Sequence, residues 1–98
     1  MPSPDPFALY GMIRPAMGDA LVAVHRAHGA NAAKVWGELL TAAGLAGHET
    51  SDDALDRMLK AMAGHDPVSR VMARGLRVRI DTFIHLTAAR QNLAASRA

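Results

Sequence analysis

Cysteine is absent from the 98 residues. With it go disulfides, thiol catalysis, iron–sulfur clusters and every cysteine-based zinc finger. That composition fits a reducing compartment, and a cytoplasmic setting is the expectation. Aromatic residues make up only 4% of the chain, namely Phe7, Tyr10, Trp36 and Phe83. A β-sandwich or barrel draws on more aromatic and β-branched side chains than this. No uninterrupted apolar run approaches the ~20 residues of a membrane-spanning helix, so no membrane association is expected. The opening Met-Pro-Ser-Pro-Asp-Pro lacks a basic stretch ahead of an apolar run and does not read as a signal peptide. A Gly-x-Ser-x-Gly elbow and a glycine-rich phosphate loop are missing as well.

What remains is a chain rich in alanine. Half of the residues are hydrophobic, but alanine contributes little transfer energy, so the larger apolar residues must be well placed. The length fits one domain, residues 1–98, with flexible ends expected at 1–5 and 96–98. Net charge is only +2, yet it is unevenly spread. Glu49, Asp52, Asp53 and Asp56 form an acidic stretch, and Arg70, Arg74, Arg77 and Arg79 a basic one.

Caps and periodicity agree on an all-α fold, a small bundle of four to five helices with a long C-terminal helix. Asp5-Pro6 opens a short helix from Phe7 to about Arg14, which Pro15 breaks. Met17, Leu21 and Val24 then recur at helical spacing as far as His28, and Gly29 is placed for a left-handed stop. Asn31 is set to cap the next helix, whose stripe is Val35, Trp36, Leu39, Leu40 and Ala43. Gly44 ends it, with Leu45 suited to the hydrophobic contact of a Schellman motif. Thr50 with Asp53, or Ser51, caps a third amphipathic helix carrying Leu55, Met58, Leu59 and Met62, closed by Gly64.

Asp66-Pro67 repeats the opening signal. The last helix runs from there to roughly Ala95 and is apolar over more than half its circumference, which predicts a central position. A break at Gly75 or near Asp81-Thr82 would shorten it. The alternation Leu76-Arg77-Val78-Arg79-Ile80-Asp81 is a strand signal, but no other segment offers a strand to pair with. The core is expected to gather Leu21, Val24, Val35, Trp36, Leu39, Leu55, Leu59, Met62, Met72, Leu76 and Phe83.

Candidate chemistry is sparse. His25 and His28 share a helix face, but further zinc ligands would have to come from Glu38, His48, His65 or His85 at no diagnostic spacing. Half-buried, hydrogen-bonded histidines explain the pair better, and no metal or cofactor is expected. Ser69, His65 and Asp66 have the residue types of a hydrolytic triad. Nearness in sequence is not the criterion for one, however, and His65-Asp66-Pro67 reads as an interhelix turn whose aspartate caps the next helix. The chain is not expected to be an enzyme.

The residues support two functional readings. The leading one is a helical protein–protein interaction module, a homodimer or a docking subunit for another helical protein. Its interface would be Ile80, Phe83, Ile84 and Leu86, flanked by Arg79 and Arg90. The alternative is a nucleic-acid-binding regulator that presents Arg70, Arg74 and Arg77, spaced i, i+4, i+7, to phosphates. A helix-turn-helix over residues 35–62 is disfavoured, because its second helix would meet DNA with Asp52, Asp53 and Asp56.

Overall fold

Punctuation by single residues sets the helix ends. The computed structural model describes residues 14–96 and holds helices but no strands among them. The helix expected from Phe7 and the flexible ends at 1–5 and 97–98 lie outside the described residues, and Ser96 is the last residue of the final helix.

Helix α1 spans Met17–His28. Asp19 reaches back to the Ala16 N–H at 2.7 Å, so a carboxylate in the first turn serves an unpaired donor and favours the dipole. A 3₁₀ turn, Gly29–Asn31, leads straight into α2, Ala32–Ala43. Gly29 has a positive φ of 54°, but its ψ of −118° lies outside the left-handed helical region expected there. Asn31, expected to cap α2, is helical and makes no side-chain cap. The 3₁₀ turn runs into α2 through the Ala32 N–H on the Gly29 carbonyl. No loop separates α1 from α2, since the 3₁₀ turn joins them directly. The described chain forms three continuous helical stretches, and the expectation of four to five separate helices is not met.

Gly44 stops α2 in the left-handed conformation, φ 70° and ψ 35°. Leu45 N–H bonds the Leu40 carbonyl at 2.9 Å, and its side chain packs against the core. This is the Schellman arrangement expected there. The loop to the next helix is clipped by Glu49, whose carboxylate accepts the N–H groups of Ala46 and Gly47, both at 2.8 Å. Those bonds lower its pKa to about 2. Ser51 then caps α3, Asp52–His65, through its hydroxyl on the Ala54 N–H at 3.1 Å. Gly64 lies inside α3, which stops one residue later where Asp66 turns extended.

Helix α4, Pro67–Ser96, has 30 residues and no break. At ~1.5 Å per residue it is ~45 Å long, close to the 51 Å longest dimension of the molecule, whose other extents are 27 and 23 Å. Neither Gly75 nor Thr82 interrupts it. The Thr82 hydroxyl donates to the Val78 carbonyl at 2.8 Å, which satisfies it without leaving the helix. The alternating stretch 76–81 is helical.

The expectation that α4 is central is also corrected. α1 and α3 each pack against three other helices, whereas α2 and α4 do not touch each other. α4 gives the core only Ser69, Ala73, Leu76 and Ile80, and no described residue beyond Ile80 is buried. The core itself gathers Val24, Val35, Leu39, Leu55, Leu59, Met62 and Leu76 as expected, with Met58 and Ala20 in addition. Leu21 is exposed and Ala20 wholly buried. An alanine at the contact lets α1 approach two neighbours closely, and the next residue, ~100° around the helix, then faces out. Trp36 and Met72 are half-buried against the core.

Leu39 is completely buried, so Leu39→Ala is expected to lower stability by ~2–5 kcal/mol. Leu21→Ala should change it by no more than ~0.5 kcal/mol. Urea unfolding of the two variants measures the difference, and similar losses would mean that the α1 faces are misassigned.

Candidate interaction surface and polar cluster

Two features stand out from the packing, a polar cluster at the α3–α4 joint and an apolar stripe along α4. Asp66 builds the first. Its carboxylate caps α4 by accepting the Ser69 N–H at 2.8 Å and the Ser69 hydroxyl at 2.7 Å. The same carboxylate accepts His65 Nδ1 at 2.6 Å, while His65 Nε2 reaches Glu38 on α2 at 2.8 Å. Ser69, with 1% of its surface exposed, meets His28 Nε2 from α1 at 3.0 Å. All four helices are tied at one point, and every buried side-chain polar atom among the described residues has a partner.

The residue types of the triad are therefore close together, but in the wrong order. Asp66 lies between His65 and Ser69. The ring that does touch the serine, His28, has the carboxylate 3.5 Å from the same Nε2 nitrogen, so Asp66 does not orient that ring from behind. The sealed Ser69 hydroxyl is spent on donating to Asp66, with its lone pairs left for His28. His25 is exposed, whereas His28 is half-buried. No group of three or more metal-ligand side chains is arranged around a common point among the described residues. Sequence reasoning missed His28 and Glu38 as partners, because both contacts join residues distant along the chain.

The basic row is partly used up within the chain. Arg70 Nε donates to the Ala63 carbonyl at 2.9 Å, closing the end of α3. Arg77 pairs with Asp56, which also holds Lys60 at 3.1 Å. Arg74 is exposed and shares with Lys60 and Arg77 the rim of a shallow groove between α3 and α4.

The expected interface does not form one patch. Ile80 is in the core, because it follows Ala73 and Leu76 on the inward line of α4. Phe83 is half-buried, with the Arg14 guanidinium 5.7 Å from its ring centroid. Ile84 and Leu86 are exposed, but two residues apart on a helix they face different ways. Arg79 and Arg90 are exposed.

A different set lines up. Val68, Val71, Val78, Leu86 and Leu93 are 48%, 66%, 63%, 38% and 60% exposed. With Gly75, Thr82 and Ala89 between them, the spacing is 3, 4, 3, 4, 4, 3, 4, which holds one face of a helix over seven turns. Arg79 and Arg90 border this stripe. Beside its first half runs an open groove between α1 and α4 of about 580 Å³, walled by Val22, Ala23, Val71, Met72, Gly75 and Leu76 and rimmed by Asp19, Arg26 and Arg79.

The cluster should make stability depend on pH. Hydrogen bonds to Glu38 and then Asp66 raise the His65 pKa, since serving both carboxylates needs a proton on each ring nitrogen. Burial pushes Asp66 up, but the Ser69 N–H and hydroxyl and the His65 ring outweigh it and hold the carboxyl well below its ordinary value. The His65 contribution is complete below its ordinary 6.5 and fades as pH rises through the raised value. The Asp66 contribution is complete above its ordinary 3.8 and fades as pH falls. Thermal unfolding followed from pH ~5 to ~9 should therefore show a decline that His65→Gln flattens. An equal decline in the variant would place its source elsewhere. Comparison with protein-family models, curated proteins and solved structures finds no match, so the residues themselves carry the functional reading.

Proposed function

We propose that the chain is a small cytoplasmic protein–protein interaction module that associates with a second copy of itself through α4. One observation supports this above the rest, the exposed apolar stripe that runs the length of α4 while the core takes only the helix's first half. Monomers that remain in solution seldom leave a contiguous apolar face of this length bare. A twofold axis lets one face serve both subunits. The cysteine-free composition supports the cytoplasmic setting. Nucleic-acid binding through Arg70, Arg74 and Arg77 draws less support, because Arg70 and Arg77 already have partners on α3.

Light scattering across a concentration series, with and without a DNA duplex, tests the proposal. The mass should rise from one chain to two with concentration and not respond to DNA. Val71→Glu combined with Val78→Glu should leave helix content intact and hold the protein at one chain, since both side chains are exposed. A wild-type chain that stays monomeric at high micromolar concentration would overturn self-association. A mass that rises only with DNA would favour the nucleic-acid reading.

A further inference from the structure

The half of α4 beyond Ile80 adds nothing buried among the described residues, and it carries Leu86 and Leu93 on the stripe. The half before it is packed on the body and has the open groove beside it, with Val68, Val71 and Gly75 on the same stripe. One unbroken helix thus holds both an apolar arm and an unfilled apolar seat. We infer that two chains pair antiparallel through α4, the arm of each lying in the groove between α1 and α4 of the other. The inference rests on the self-association proposed above and adds its surface and its direction.

Side-chain size supplies the direction. About an axis between residues 80 and 81, antiparallel pairing sets Leu93 opposite Val68, Ala89 opposite Val71, Leu86 opposite Gly75 and Thr82 opposite Val78. Each sum falls at 160 or 161, so a single register serves the whole stripe. Leu86, the largest side chain near its middle, meets the glycine, where an added Cβ would have no atom within 4 Å in the isolated chain. Parallel pairing in register would set Gly75 against Gly75 and Ala89 against Ala89, with Leu86 crowding Leu86 between them. Interiors pack at the density of organic crystals, and voids alternating with overfilled layers are disfavoured.

Area favours the groove over α4 alone. The stripe from 68 to 93 is ~38 Å long and a helix ~10 Å wide. Two such faces cover ~800 Å², short of the ~1,200 Å² of a stable interface. Seating the arm beside α1 brings in Val22, which is 49% exposed, together with the other groove walls.

Because the protein has no cysteine, single-cysteine variants report the geometry directly. Val68→Cys mixed with Leu93→Cys, and Gly75→Cys mixed with Leu86→Cys, should form mixed disulfide dimers under mild oxidation. Each mixture should react at least ~10-fold faster than either variant alone, because a disulfide needs its Cα atoms within ~7 Å. Gly75→Leu fills the seat, and its Cβ meets no atom of the chain within 4 Å. It should keep the helix content and melting temperature of the dilute protein while weakening dimerisation at least ~10-fold. Rapid self-linking of Val68→Cys would mean parallel pairing and overturn the inference, as would a dimer that links at none of these positions or tolerates Gly75→Leu. A wild-type chain that is monomeric by light scattering would instead remove the self-association on which the inference rests.

Discussion

The Asp66 carboxylate sets the direction of the longest element in the molecule. Only this residue separates α3 from α4, so no linker exists to absorb an error in angle. Pro67 pushes the residue before it out of helical conformation, and Asp66 is extended at φ −156° and ψ 164°. Its two oxygens then fix the first turn of α4, one on the Ser69 backbone and the other shared by the Ser69 hydroxyl and His65. Since α4 is unbroken, the angle set at residue 66 governs where residue 93 lies. A helix that used its far end for nothing would have little need of so many restraints at its start.

The restraints come from all four helices, and their chemistry explains why they act together. Glu38 belongs to α2 and His28 to α1, and α2, which does not pack against α4, reaches the joint only through this polar cluster and α3. His65 bridges two carboxylates, and a neutral imidazole can donate to only one of them. Loss of that proton therefore breaks one of the two links, to Glu38 or to Asp66. The pair of Asp53 with Arg57 at 3.8 Å is exposed and contributes little.

Several of these features are legible in the sequence because they depend on neighbours along the chain. The Gly44 stop with its Leu45 contact, the Ser51 cap and the Asp66-Pro67 opening each need only a few adjacent residues, and all occur where those residues predict them. Asn31 misleads because a 3₁₀ turn runs directly into α2 and leaves that residue helical. Leu21 misleads because whether a leucine or the alanine beside it faces inward depends on how near the next helix comes. Ile80 reads as a surface residue because the apolar arc of α4 is wide. Only the positions of α1 and α3 show which part of that arc the core takes. His28 and Glu38 carry no local signal at all. The stripe can be found by counting, as its spacing is plain from Val68 to Leu93, but nothing in the sequence separates it from the inward line that runs parallel to it.

That separation bears on how two copies would meet. Ser69, Ala73, Leu76 and Ile80 place the inward line on one side of α4, and Val68, Val71, Gly75 and Val78 lie about a quarter of a turn or more away. A contact on the second line leaves the first undisturbed, so association asks no rearrangement of the core. Continuity matters for the same reason. If α4 bent at Gly75 or Thr82, its arm would leave the line of its own groove, and one register could not serve residues 68 to 93. Because arm and groove share one axis, the pairing that fills one groove also fills the other. In the proposed pairing the assembly would then close at two chains.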